Sequence, residues 1–239
     1  MNIEELKREL DEYGFVIIHN LISPAEADRM AKRLMEIMGR QADADKLVQN
    51  LRNVLNNDDQ DVFVPLVTNP TYLELARHLL GPDFQLAEVG GLWIKPGAPA
   101  PSFHADVPVG WFPQSGLPVP DACFITNSLW MLTEFSRENG ATQLIPFSQY
   151  SRRAPRPDVD YKHRVSAEGP AGSVVIFHGS IWHRGGANVT QDEQRVGLSV
   201  PYHAHWMDPA AGHWHLMKRS VRDRMPPLVQ KMSRHVVED

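Results

Sequence analysis

The sequence predicts an α+β chain in which a sandwich or barrel of short strands is flanked by helices. Three observations carry this. Apolar residues recur at helical spacing up to about residue 80, whereas from Phe84 onward the chain reads as β-branched and aromatic runs. The 19 prolines and 16 glycines recur through residues 81–120 and 139–212, between those runs, which is the rhythm of strands joined by turns. A last segment with helical character follows. Helices, then strands, then a terminal helix is the order of an α+β chain with a sandwich or barrel core.

Taken in order, IEELKRELDE (3–12) places Ile3, Leu6 and Leu10 on one helix face, and Gly14 stops it. GFVIIHNL (14–21) reads as a short buried strand. Ser23 is the N-cap of the next helix, with Pro24 at its first position and Glu26 behind it, and Ala27, Met30, Leu34 and Ile37 continue it to about Met38. Residues 46–56 suggest a further short helix. Asn69-Pro70 opens TYLELARHLL, which Gly81-Pro82 ends. Residues 84–95, 122–132, 141–147, 172–178 and 195–206 are the strands. A helix near 214–237 closes the chain, with Pro226-Pro227 set to break it midway. No linker separates two domains, so residues 1–239 are expected to form a single one.

Composition narrows the function. Of the 239 residues 42% are apolar and 22% charged, the balance of a folded domain. A net charge of −5 with a pI near 6.1 argues against nucleic acid or an anionic membrane as partner. No apolar run approaches the roughly 18 residues of a membrane span. MNIEELKREL lacks the basic-then-apolar order of a signal peptide, and Cys123 stands alone, so a cytoplasmic setting is expected. Leu216, Val221, Met225, Leu228 and Val229 fit packing on the same chain or on a second copy, so monomer and homodimer both stay open.

The residues that carry chemistry begin with His104-Ala105-Asp106. On an extended segment, positions i and i+2 face the same way, so one imidazole and one carboxylate share a volume. Alone this is a weak signal, since such a pair arises readily by chance. A second imidazole from a distant strand would complete a two-histidine, one-carboxylate face, which suits Fe(II) and leaves positions open for a chelating co-substrate and O₂. His183, in HRGGANVT, is the first candidate. His178 reads as a strand residue next to the site, and His203 and His205 as a pocket mouth or plain surface. Arg195 lies twelve residues after His183, at the start of RVGLSVPY. Its planar fork suits two-pronged capture of a carboxylate, and a rim ion pair with Asp192 or Glu193 is the structural alternative. Ser199 lies on the same strand face by the period-two rule.

In this order the blocks YGFVIIHNLISPAEADRM, LLGPDF, KPGAPAPSFHAD, MLTEFSRENGATQLIPFSQ, GSVVIFHGSIWHRGGANVT and RVGLSVPY resemble the phytanoyl-CoA dioxygenase family of Fe(II)/2-oxoglutarate oxygenases. The likeness spans about residues 12–203 and is most specific in the HxD and HRGGAN…R blocks. It implies a double-stranded β-helix (jelly-roll, cupin-like) barrel with flanking helices. It also implies His104, Asp106 and His183 as iron ligands, Arg195 as partner of the distal carboxylate of 2-oxoglutarate, and O₂ as co-substrate. Lys95, in the KPG before the HxD, falls where some relatives place a cofactor- or substrate-contacting side chain. Two departures stand out. Gln149 occupies the place of a histidine common in relatives, and Gly185 replaces the small or hydroxylated residue often found two positions after the distal histidine. A second contact to 2-oxoglutarate is therefore expected from Ser199 or Thr142. Because Asp106 is a carboxylate, hydroxylation rather than halogenation is the expected outcome; desaturation and cyclisation use the same triad.

The substrate is expected to be a small organic molecule such as a secondary metabolite, oxidised at an unactivated carbon with release of succinate and CO₂. Trp111 and Phe112, in a Pro/Gly-rich insert after the HxD, and His205 and Trp206, after the arginine strand, are its candidate contacts. Trp93 and Trp130 lie on candidate barrel strands and Trp182 precedes the distal histidine; core packing is the plain alternative for each. A cupin-like metalloenzyme that does not use 2-oxoglutarate would have no need of Arg195. A non-catalytic binding module on the same barrel would need neither the arginine nor the triad.

Overall fold

The computed structural model describes residues 2–40, 43, 45–107, 122–207 and 216–239. The chain opens with helix α1 (Ile3–Tyr13), which Gly14 ends at φ 84°, then strand β1 (Phe15–Ile18) and helix α2 (Pro24–Gly39). Ser23 and Glu26 form a reciprocal capping box at the start of α2. Strand β2 (Val48–Leu51), a 3₁₀ turn (Val54–Asn57) and helices α3 (Val64–Val67) and α4 (Pro70–Leu80) follow. The remaining strands are β3 (Phe84–Leu86), β4 (Gly90–Ile94), β5 (Ile125–Met131), β6 (Gln143–Ile145), β7 (Val165–Ser166), β8 (Val174–His178), β9 (Trp182–Arg184), β10 (Arg195–Ser199), β11 (Tyr202–Ala204) and β12 (Met217–Lys218). Helices α5 (Arg219–Arg224) and α6 (Pro227–Met232) and strand β13 (Val236–Val237), which pairs with β12, close the chain.

The large sheet runs β1-β8-β5-β10-β4-β2, with β11 pairing both β3 and β5; the small sheet runs β7-β6-β9. The pairs of both sheets are antiparallel. Alternation along the large sheet separates the two main apolar clusters, one on each of its faces. Val175 and Phe177 of β8 and Leu129 and Met131 of β5 face Leu144 of the small sheet. Val174, Ile176, Trp130, Val196 and Leu198 face the helical layer, where they meet Leu34, Tyr72 and Leu75. The result is the double-stranded β-helix that the resemblance implied, flanked by helices, although its two sheets do not close into a continuous barrel.

Several elements differ from expectation. Residues 46–56 hold β2 and a 3₁₀ turn rather than a helix, because Val48–Leu51 pairs along β4 and the ladder outweighs local preference. The expected strand over 195–206 is two strands, β10 and β11, separated at Val200-Pro201; Pro201 has no N–H to continue a ladder. The terminal helix breaks at Pro226-Pro227 as expected, into α5 and α6, but the segment also holds strands β12 and β13, which the sequence reading did not include. Helix α3 was not legible in the sequence. No helix among the described residues is long and apolar enough to cross a membrane.

Candidate active site

His104 and His183 are joined by the backbone before their side chains meet. Each donates its N–H to the other's carbonyl at 2.9 Å, a two-residue antiparallel bridge at the edge of the small sheet. The bridge brings the imidazoles to a ring-centre distance of 4.3 Å. The His183 ring also lies 4.6 Å from that of Phe177. His183 Nδ1 lies 3.1 Å from the Ile181 carbonyl; a carbonyl only accepts, so Nδ1 carries the proton and the Nε2 lone pair is free. Desolvation by the surrounding chain and the neighbouring His183 hold the His104 pKa below its usual value, although 54% of the side chain is accessible, and this favours the neutral, ligating form.

Asp106 completes the group. Its Oδ1 lies 3.8 Å from His104 Nε2 and 3.5 Å from His183 Nε2, and one ligand atom from each of the three residues falls within 4.8 Å of the others. Its other oxygen, Oδ2, accepts from Asn127 Nδ2 at 2.9 Å. Two imidazole nitrogens and one carboxylate oxygen form a donor set suited to Fe(II).

Arg195 stands in the same cavity. The side chain is 3% exposed, and its Nε and Nη1 are buried with no hydrogen-bond partner. Its guanidinium carbon lies 4.7 Å from the centre of the Phe135 ring. Gly197 makes that packing possible, since a Cβ there would sit 2.9 Å from Phe135 Cζ. Burial without a counter-charge pushes the Arg195 pKa down to about 10. A buried cation with unmet donors is costly unless an anion supplies the missing bonds, so the site fits a carboxylate-bearing co-substrate.

The cavity measures about 510 Å³, and its lining includes His104, Asp106, His183, Arg195, Ser199 and Thr142. Both candidates for a second co-substrate contact are therefore present, as are Gly185 and Gly186. Gly185 leaves room over the arginine: a Cβ would lie 3.5 Å from Arg195 Nη2. The cavity does not include Lys95, whose ammonium lies 5.5 Å from the centre of the Trp93 ring. Gln149, in the place of the expected histidine, donates instead to the carbonyls of Asp11 and Glu12 at the end of α1.

His205 and Trp206 are not among the cavity's lining; both are exposed, Trp206 packing edge-on against Phe124. Trp111 and Phe112, and with them the rest of the insert after Val107, lie outside the described residues. His203 and His178 are likewise outside this cavity. The wall that is described is aliphatic, with Val48, Leu51, Leu92, Ile94 and Leu129, and with Asn50 and Arg52 of the β2 region among them. Sequence reasoning passed over Asn127 and Phe177. The available signal was Asn127 itself, a lone amide on a strand face whose next members are Leu129 and Met131.

A double-stranded β-helix with a His-Asp-His group and an unpaired guanidinium in one cavity defines a metal-dependent enzyme that takes an anionic co-substrate. The sequence profile of the family "Phytanoyl-CoA dioxygenase (PhyH)" matches residues 10–196. The "Dioxygenase af480" of Aspergillus fumigatus is 29% identical, over 97% of this chain and 77% of its own length. The "Fe(II)/2-oxoglutarate-dependent dioxygenase nvfF" of Aspergillus novofumigatus is also 29% identical, over 92% of this chain and 78% of its own. Among solved structures, HygX from Streptomyces hygroscopicus, with nickel, 2-oxoglutarate and hygromycin B bound, has the same fold at a TM-score of 0.69 and 14% identity, covering 98% of this chain and 96% of that one. The chain belongs to the phytanoyl-CoA dioxygenase family, and it is an Fe(II)- and 2-oxoglutarate-dependent dioxygenase.

Proposed function

We propose that this dioxygenase hydroxylates an unactivated carbon of a compact, largely apolar small molecule of the secondary-metabolite kind, with His104 Nε2, Asp106 Oδ1 and His183 Nε2 as the iron ligands. The observation that carries the assignment of roles is Arg195, a buried guanidinium with two unmet donors in the cavity that also holds the triad. The distal carboxylate of 2-oxoglutarate would supply the anion this group lacks, and Thr142 and Ser199, which line the same cavity, would add hydroxyl donors. Bound together, iron and 2-oxoglutarate supply the oxidising chemistry with O₂, releasing succinate and CO₂.

The chain's own part is to hold and to exclude. The backbone bridge fixes the imidazoles, the Ile181 carbonyl fixes the proton on His183 Nδ1, and the aliphatic wall keeps water from the reacting carbon. A volume of about 510 Å³ lies in the range of small-ligand sites and has to be shared with the co-substrate. Asn50 and Arg52 supply polar contacts in the cavity lining. The reading includes one domain over residues 1–239 and a cytoplasmic setting, supported by the lone thiol at Cys123.

The test is succinate formation from 2-oxoglutarate, with protein loaded anaerobically with Fe(II) and then exposed to O₂. We expect slow turnover without added substrate, lost in His183→Ala. In Arg195→Ala the 2-oxoglutarate requirement should rise by about 100-fold, the scale of losing a buried charge contact. Wild-type turnover undiminished in both variants would refute the assignment.

A further inference from the structure

We infer that Asn127 is a positioning residue that reserves one oxygen of Asp106, so that this carboxylate offers a metal Oδ1 alone. The inference rests on the reading of His104, Asp106 and His183 as metal ligands. Asn127 lies on β5, directly across the ladder from Phe177 on β8. The two neighbours divide the support of the site: Phe177 packs on the His183 ring and Asn127 binds Asp106. Asp106 points Oδ1 at both imidazole Nε2 atoms, at 3.5 and 3.8 Å. Its Oδ2 is turned to Asn127 Nδ2 at 2.9 Å. The amide orientation is fixed by charge, because the reverse would set the amide oxygen against a carboxylate oxygen.

The amide is not there for stability. Its Oδ1 is buried without a partner, a defect that generally costs about 1–3 kcal/mol. On the same strand face Leu129, which also lines the cavity, and Met131 are buried apolar residues. A leucine at 127 would match them and remove the unmet acceptor, and the one contact forfeited is the bond to Asp106. Asp106 is partly exposed, its side chain 21% accessible, so water could replace that bond but could not fix its direction.

The consequence concerns how many positions the protein occupies on a metal. A carboxylate free to swing can engage a cation through both oxygens and fill one position more. In a site that would also have to admit a chelating 2-oxo acid and O₂, that extra contact would compete with them for the positions the protein leaves open. Holding Oδ2 on Asn127 keeps the position open.

Co(II) tests this without turnover, since its visible absorption reports coordination number and its titration gives affinity. Wild type, Asn127→Leu, Asn127→Ala and Asp106→Ala are titrated with Co(II), with and without 2-oxoglutarate, and melting temperatures are taken alongside. We expect Asn127→Leu to melt no lower than wild type, to give an altered Co(II) spectrum as Asp106 takes up a second contact, and to bind 2-oxoglutarate on the Co(II)-loaded protein about ten-fold more weakly, the lower end of what losing a support of a metal ligand costs. Should Asn127→Leu fail to fold, Asn127→Ala gives the same readout. A folded variant with wild-type affinity and spectrum overturns the inference. If Asp106→Ala also binds Co(II) as wild type does, the ligand assignment itself is wrong and the inference falls with it.

Discussion

Arg195 shows how a single residue can be unfavourable for folding and necessary for function. Its pKa, pushed down from the ordinary arginine value to about 10, corresponds to about 3 kcal/mol withheld from the folded state while the cation is unpaired. The sign follows from proton counting: between pH 10 and the ordinary arginine range the unfolded chain binds the extra proton. The penalty is therefore full at neutral pH and is relieved as pH rises through that window. Arg195→Met should accordingly melt a few degrees higher than wild type without co-substrate, at about 2–4 °C per kcal/mol for a chain of this size. It should also lose the upward shift that 2-oxoglutarate gives wild type. Scanning fluorimetry measures both, and a lower melting temperature for the variant would mean the guanidinium has a structural role. In wild type, 2-oxoglutarate affinity should hold through neutral pH and fall as pH passes about 10, where Arg195 loses its proton; isothermal titration across that range decides it.

At the scale of elements, the site depends on which faces the strands present. β10 puts Val196 and Leu198 toward the helices and leaves Arg195, Gly197 and Ser199 for the interior. Gly197→Ala would place a Cβ 2.9 Å from Phe135 Cζ and 3.1 Å from the Trp130 carbonyl. The carbonyl belongs to a paired strand and cannot withdraw, so we expect a loss of about 1–3 kcal/mol in chemical denaturation and weaker 2-oxoglutarate binding as Phe135 leaves Arg195. Ser23→Ala is the contrasting case: it removes one arm of the α2 capping box and should lower stability by about 1 kcal/mol with co-substrate affinity unchanged. This is also the scale at which the sequence was most and least legible. Caps, helical periodicity and Pro/Gly punctuation are local, so α1, α2 and α4 could be read directly. β2 could not, because Val48–Leu51 is a strand only by virtue of β4 beside it. His104, Asp106, His183 and Arg195 were legible because motif spacing survives without coordinates. Asn127 was not, because its meaning depends on which residue the carboxylate of Asp106 turns toward.

Across the whole molecule, the helices are tied to one another through the Asp58–Asp61 turn by more than apolar contact. Arg33 of α2 and Asp58 pair at 3.1 Å with side chains 5% and 0% exposed. The same turn binds Arg224 of α5 through the Asp58 carbonyl and the Asp61 side chain. Asp58→Ala leaves a buried guanidinium short of its partner and removes the acceptor of the Val62 N–H. Unfolding in urea should show a loss of about 3–5 kcal/mol at a residue outside the cavity lining. The segment after the HxD has a different kind of anchorage. Val107 N donates to the Gly179 carbonyl at 3.0 Å, and Gly179 N donates to the Ile125 carbonyl at 2.7 Å. The chain thus departs from one glycine and returns to it, just beyond Asp106 and just before Asn127. With its two ends pinned together, the length of that excursion hardly enters the free energy of folding, since doubling a loop adds only about 0.6 kcal/mol. Insertions or deletions between these two anchors should therefore cost little stability, because the bonds that hold Val107, beside Asp106, and Ile125, near Asn127, do not depend on the length of chain between them.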